Sequence, residues 1–429
     1  MSLAKDAGRR FARRAPRSGS GVPGSSDPTR HGGDPAGTGG PRGGGGPAGG
    51  GGGSPHGGDD RSGGRGPRGG GDGPGDPGAA GGTGPIPALP PVGASGPFGR
   101  GTDGAWPTHP GRTLLVLAAW ITTAGLALIA AGRLVHLDDA VAWPASAANA
   151  LTPLLYLPVY AALAIGFALR RSRLMILCVL VAAAHLVWTA PEVIPGNPDE
   201  AGQGSARLRV MTANLLYRNA EAGRLGQQIR QASPDVIVLV EVSPLTLAKV
   251  RESGALAGYR YSEARPEEGA FGAAVFSRFP LSDAAAPEVA GSMSLRATVR
   301  VDERRSFVVY AVHTISPTSG DYARRWRAQL DQLQEEVRAA RLPVVLAGDF
   351  NATRDHRPMR RLISAGVRDA HDVVGAGWTP TWNADMVMFP PVLRIDHVLA
   401  SPAFAITSYQ VGTEFGSDHK PVTVDLALR

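Results

Sequence analysis

Apolar positions follow three different patterns along the chain. Before Arg112 they are sparse, between Thr113 and Ala190 they form long stretches nearly free of charge, and after Arg207 they alternate or gather in short runs bounded by turn residues. The last pattern predicts a globular domain over 207–429. Leu208–Asn214 alternates and predicts a strand. Asp235–Val242 is almost continuously β-branched, as expected of a strand buried on both faces. Further strands are expected at Phe271–Ser277, Leu295–Val301, Ser306–His313, Pro343–Ala347, Ile395–Ala400 and Pro421–Leu428. Glu221–Gln231 and Tyr322–Ala340 predict helices; in the second, Trp326, Leu330, Leu333 and Val337 form one apolar face. Helices interspersed with many strands, some consecutive, predict an α/β layered fold with paired sheets.

The middle pattern predicts three transmembrane helices, at about 113–132, 147–169 and 174–190. The first is uncharged between Arg112 and Arg133, and 20 residues rise roughly 30 Å, the hydrocarbon thickness of a bilayer. The second contains Pro153 and Pro158, which membrane helices tolerate when neighbours satisfy the freed backbone groups. His185, near the end of the third, is expected to pack against a neighbouring helix. The link between the second and third spans reads Arg170-Arg171-Ser172-Arg173, whereas the first link has one Arg beside Asp138 and Asp139. The positive-inside rule then puts the N-terminal tail and the Arg-rich link in the cytoplasm and the C-terminal domain outside the cell membrane. A chain with two spans and one buried core helix would return that domain to the cytoplasm. Residues 191–206, with Pro191, Pro195, Gly196, Pro198, Gly202 and Gly204, predict a linker.

Composition changes the picture at the N-terminus. Residues 1–111 carry runs such as Gly43–Gly46 and Gly49–Gly53 and few apolar side chains, so burial cannot offset the entropy of ordering and a disordered tail is expected. Arg9, Arg10, Arg13, Arg14 and Arg17 form a basic cluster in that tail. The whole chain is formally +7, but residues 201–429 hold 27 Lys/Arg against 24 Asp/Glu, a net of +3. Charge alone therefore assigns no polyanionic substrate. The single cysteine, Cys178, excludes an intramolecular disulfide framework.

Several polar residues terminate apolar strands. Asn214 ends the first, and Glu241 falls inside the run Val236–Val242, where an unpartnered carboxylate costs several kcal/mol and a cation is a natural partner. His313 ends another strand. Asp349 and Asn351 follow in Gly348-Asp349-Phe350-Asn351, Asp396 and His397 follow Arg394-Ile395, and Asp418 and His419 precede the last strand. Each alone is as well explained by a turn, a cap or scaffolding. Together, carboxylates and amides without cysteine make hard oxygen ligands suited to Mg2+, Mn2+ or Ca2+. Two histidines with acidic neighbours suit protonation of a leaving group or polarisation of a phosphoryl oxygen.

The ordered series Asn214, Glu241, Ser277-Arg278-Phe279-Pro280, His313, GDFN at 348–351, RIDH at 394–397 and GSDH at 416–419 resembles the endonuclease/exonuclease/phosphatase superfamily, whose members include deoxyribonuclease I-like nucleases. The resemblance covers 207–429 only. It implies a four-layer α/β/β/α sandwich with the site at one end of two packed sheets. It implies that Glu241 is the main metal carboxylate, with Asn214 and Asp418 assisting. Asp349 would orient or deprotonate water, Asn351 would hold water or phosphate, and His419, oriented by Asp396, would contact a phosphoryl oxygen. His313 would be a second acid or electrostatic clamp, without an evident acidic partner in the sequence. His397 and Arg278 are expected to support the fold, and Trp378 and Trp382 to cap the core or stack on a base or sugar. The expected activity is metal-dependent hydrolysis of a nucleic acid or phospholipid headgroup by a membrane-anchored enzyme, with Mg2+ (or Mn2+; Ca2+ also fits) and no protein partner. A non-catalytic binding module on the same fold is the alternative.

Overall fold

The computed structural model describes residues 110–136, 143–289, 292–385 and 390–429. Almost all of the expected tail therefore lies outside the described residues. In the C-terminal domain the alternation of side chains builds two sheets and three apolar layers. One sheet has the order β13-β14-β1-β2-β4-β3, from β1 (Ala206–Asn214), β2 (Val236–Val240), β3 (Tyr261–Arg265), β4 (Ala273–Ser277), β13 (Phe404–Val411) and β14 (Val422–Leu428). The other has the order β11-β12-β10-β9-β8-β5, from β5 (Leu281–Ala285), β8 (Leu295–Arg300), β9 (Ser306–His313), β10 (Val344–Asp349), β11 (Arg368–Asp369) and β12 (Asp396–Ala400). A short hairpin, β6 (Glu288–Val289) with β7 (Ser292–Met293), stands apart.

Val236, Val238 and Val240 of β2 meet Val309 and Ala311 of β9 and Val345 and Ala347 of β10 in the core between the sheets. The intervening Ile237 and Leu239 face outward onto α6 (Leu225–Ala232) and α7 (Pro244–Glu252). On the opposite outer face, Tyr310, Val312, Val344 and Leu346 pack on Trp326, Leu330, Leu333 and Val337 of α8 (Gly320–Ala339) and on Met359 and Leu362 of α9 (Arg357–Ser364). The result is the α/β/β/α stack. Continuous apolar runs are explained by strands covered on both faces. Each fully buried Leu or Val contributes about 1.5–3 kcal/mol. Strands β3, β5, β11 and β13 were not among those expected. β3 and β5 are largely exposed and lack an apolar run, and β11 is only two residues.

The hydrophobic segment departs from three straight spans. Among the described residues two helices are long and apolar enough to cross a membrane, α1 (Pro110–Leu134) and α5 (Ser172–Val193). The expected span 147–169 is broken into α2 (Trp143–Ala150), α3 (Thr152–Leu155) and α4 (Pro158–Ala168), with an 80° bend. Counted as one crossing, this bent element makes three. Pro153 and Pro158 sit at the first turns of α3 and α4, where their missing N–H is least costly, so they start new helices. His185 packs as expected. It bonds the Tyr160 hydroxyl (3.0 Å) and the Pro153 carbonyl (3.2 Å), compensating backbone at the break. Cys178 is buried 3.3 Å from the Thr123 hydroxyl. The linker begins later than expected, since α5 continues through Pro191 to Val193. Its Asp199 carboxylate is held by Arg368 (2.6 Å) and by the Ile406 N–H (2.9 Å).

Candidate active site

Strand register brings the polar residues to one level. Asp349 lies opposite His313 in the parallel β9–β10 pair and opposite Asp396 in the antiparallel β10–β12 pair. Asn214 lies beside Val240 at the carboxyl ends of β1 and β2, with Glu241 next in the chain. Gly348 makes the close approach of β9 and β10 possible. Its φ is +143°, and a Cβ there would sit 1.9 Å from the Val312 carbonyl oxygen. Glu241 and Asn351 adopt left-handed backbone, φ +52° and +45°. Such conformations are uncommon for non-glycine residues and concentrate at functional sites.

Asn214 donates its amide hydrogens to Glu241 Oε1 (3.0 Å) and Asp349 Oδ2 (3.1 Å), while its own oxygen accepts from the Leu216 N–H (2.9 Å). It thus cross-links the two carboxylates. The acidic partners of His313 are now visible: Nε2 is 3.6 Å from Glu241 and 3.8 Å from Asp349. Its Nδ1 is buried with no hydrogen-bond partner among the described residues, and its ring lies against Phe271. His419 Nδ1 bonds Asp396 Oδ2 at 2.8 Å, and its Nε2 faces Asp349 at 3.6 Å. Asn351 donates to the Thr314 carbonyl (2.8 Å) and returns its backbone N–H to Asp349 (2.8 Å). Asp418 stands at the rim. Its Oδ2 accepts from the Trp382 indole (3.3 Å), and its Oδ1 is 3.9 Å from His419. Seven of the eight expected residues therefore converge tightly, and Asp418 flanks them.

Burial raises the Asp349 carboxyl to about 6; His419 opposes that rise, Asp396 adds to it and His313 opposes it. Burial alone would depress His419, but Asp396 and Asp349 overcome it and lift the imidazole to about 10. Burial also raises Asp418, against the pull of His419. The residues therefore combine a carboxylate that titrates near neutrality with a persistently charged imidazolium.

Among the described residues two groups have the donors for a metal ion, Glu241 with His313 and Asp349, and Asp349 with Asp396 and His419. The first fits a divalent cation, with two carboxylates in reach of one point and a histidine beside them. The second is occupied by its own His419–Asp396 bond. Some supporting residues lacked a sequence signal. Thr381 Oγ1 accepts from the N–H groups of Ile395 and Asp396 (3.2 Å each), and Thr314 donates to the Phe350 carbonyl. Ser417, inside the GSDH motif, donates to the Asn214 carbonyl and accepts from the His419 N–H. His397 is wholly buried among Asp369, Arg394 and the Ala352 carbonyl, as a scaffold residue. Arg278 lies over the Tyr259 ring at the surface. Trp378 is 45% exposed, so it does not cap the core.

Residues 211–419 match the endonuclease/exonuclease/phosphatase family. The match supports that superfamily for the C-terminal domain. Solved structures similar to the domain include an endonuclease/exonuclease/phosphatase from Beutenbergia cavernae, 29% identical, covering 52% of this chain and 72% of that one with a TM-score of 0.44. D. rerio TDP2 complexed with a single-strand DNA product is 15% identical over 52% of this chain and 99% of its own, with a TM-score of 0.44. A mannosyl-6-phosphatase from Bacteroides thetaiotaomicron is 20% identical over 51% and 99%, with a TM-score of 0.42. No curated protein matches the chain.

Proposed function

We propose that the chain is a membrane-anchored, divalent-metal-dependent phosphoesterase that hydrolyses phosphodiester or phosphomonoester bonds. The observation that carries this reading is the convergence of Asn214, Glu241, His313, Asp349, Asp396 and His419 on one point at the sheet ends. Glu241 and Asp349 would hold the cation, Mg2+ or Mn2+, with Asn214 beside them and Asp418 assisting from the rim. When bound it supplies positive charge against the charge that develops on the phosphoryl oxygens.

The side chains divide the remaining work. Asp349 takes a proton from, or aligns, the attacking water, a task suited to a carboxyl raised to about 6. Asn214 and Asn351 fix that carboxylate by donating to it. The His419 imidazolium donates from Nε2 to a phosphoryl oxygen, while Asp396 stabilises its charge and sets its orientation through Nδ1. Water adds to phosphorus in line with the departing oxygen, the P–O bond to that oxygen breaks, and the leaving oxygen gains a proton. His313, with Nε2 3.6 Å from Glu241 and 3.8 Å from Asp349, stands beside the same point and would supply that proton to the leaving oxygen.

A nuclease and a lipid-headgroup phosphodiesterase both fit this chemistry. Packing of the hydrophobic helices on the site-bearing rim favours the headgroup substrate, since Arg133 of α1 reaches Asp355, four residues beyond Asn351. Basic residues between the bent element and α5 favour an extracytoplasmic domain with the N-terminal tail inside. The test is turnover by the full chain in detergent, with Mg2+ or Mn2+, on plasmid DNA, RNA, a phospholipid panel and a generic diester. EDTA and Asp349→Ala are the controls. Metal-dependent turnover lost in the variant is expected. A folded, metal-binding protein inert on all four favours the binding module.

A further inference from the structure

The hydrophobic helices do more than precede the catalytic domain in sequence, because a charged side chain in the last turn of two of them, Arg133 and Glu192, is buried in an ion pair with it. Glu192, in the last turn of α5, is buried and accepts from Arg394 Nη2 at 3.2 Å. Arg394 is itself buried and donates to Asp369 at 2.8 Å; its Nη1 also lies 2.8 Å from His397 Nδ1. His397 reaches the Ala352 carbonyl at 2.8 Å, one residue past Asn351. Arg394 also lies two residues before Asp396 on the segment that leads into β12. One buried cluster thus joins the end of a membrane helix to the backbone on both sides of the site. A second clamp acts on the same loop. Arg133, stacked over Trp188, donates to Asp355 at 2.6 Å, and His356 Nε2 meets the Ser146 carbonyl at 2.9 Å.

A carboxylate buried against a guanidinium of another segment fixes geometry, because the buried Glu192 is left with the more distant His371, 3.7 Å away, if the two separate. Burial works against the charge of Arg394, yet Asp369, Glu192 and Asp372 hold it firmly protonated. For mere attachment to a bilayer the helices would need no such contact, since a flexible linker suffices.

We propose that Glu192 is a positioning residue for the reaction centre, acting through Arg394 to hold Asp396 and the Asn351–Ala352 backbone in register, so that the membrane helices form part of the active enzyme. This extends the proposed function and shares its site. The experiment uses the full chain in lipid nanodiscs, comparing wild type with Glu192→Gln, Glu192→Ala and Glu192→Asp. It measures kcat and KM on bis(4-nitrophenyl) phosphate with Mn2+, and hydrogen exchange of backbone amides. The expected result is a fall in kcat of about tenfold or more in Gln and Ala with KM nearly constant, as small misplacements of reacting groups produce. Partial recovery is expected in Asp. Exchange should speed up about tenfold at 350–356 and 395–398, as local opening requires, while β2 stays protected. If Glu192→Ala fails to fold, the near-isosteric Glu192→Gln carries the decision. Unchanged exchange at both segments in the folded variants overturns the proposal. A wild type that turns over nothing defeats the functional reading, and the exchange result still decides this inference.

Discussion

Asp349 carries the sharpest conflict between stability and chemistry. A carboxyl raised to about 6 by burial costs the folded state stability once it ionises. Its unfolded value is lower, so this cost grows as pH rises from about 4 to about 6 and persists above. Asp349→Asn removes the charge. It is expected to abolish hydrolysis and yet raise the metal-free stability at pH 7 by about 3 kcal/mol, an order of magnitude set by a shift of about two units at about 1.4 kcal/mol each. Thermal melts in EDTA check the sign: a variant less stable than wild type would contradict it. His419 behaves oppositely. Its folded value, about 10, exceeds the unfolded one, so its contribution is complete below about 6.5 and is lost as pH rises through about 10. Asp396→Asn removes the main source of that rise. The variant should lose activity on the alkaline side near neutral pH, where the wild type keeps it, and a pH–rate profile reads this directly. These residues were legible in the sequence because each ends an apolar strand, where a polar residue needs a reason. Asp369 was not, since its neighbours Arg394 and His397 lie 25 and 28 positions away and no periodicity marks it.

Elements with a strong pattern were legible for the same physical reason. The β-branched run of β2 had to be buried on both faces, and it is. The spacing of Trp326, Leu330, Leu333 and Val337 had to face one sheet, and all four do. What the pattern could not convey is where a long apolar stretch bends. Apolarity is the same in a straight span and a broken one, and only Pro153 and Pro158 differ. Edge strands such as β3 and β5 escaped because half-exposed polar strands lack a hydrophobic period. A tight constraint on a strand pair is the β9–β10 contact at Gly348. Gly348→Ala must move the Val312 backbone or break the ladder, because no rotamer relieves a Cβ. We expect this single methyl to leave little folded protein, whereas Gly377→Ala, with open space around its Cβ position and a positive φ of 75°, costs only about 1 kcal/mol. Circular dichroism melts of the two variants separate steric exclusion from the backbone preference alone.

At the scale of the whole molecule, the position of the charges relative to the helices decides which compartment sees the site. Arg170, Arg171 and Arg173 lie at the turn between α4 and α5, whereas Arg133, Ser146 and Glu192 lie at the other ends of their helices and touch the catalytic domain. Arg133 and Glu192 are consumed by buried pairs with Asp355 and Arg394, so they do not count as free basic or acidic residues beside the bilayer. On the proposed topology the Arg-rich turn is then the dominant orienting signal and faces the cytoplasm. The chain offers a clean way to test this, because its one cysteine is buried in the helix bundle. Ser172→Cys reports the Arg-rich turn and Ser282→Cys the exposed edge of the catalytic domain. In intact cells a membrane-impermeant maleimide should label Cys at 282 and reach Cys at 172 only after lysis. The reverse pattern would put the site in the cytoplasm and restrict its substrate to phosphoesters of the inner leaflet or the cell interior. The expected pattern restricts it to those outside.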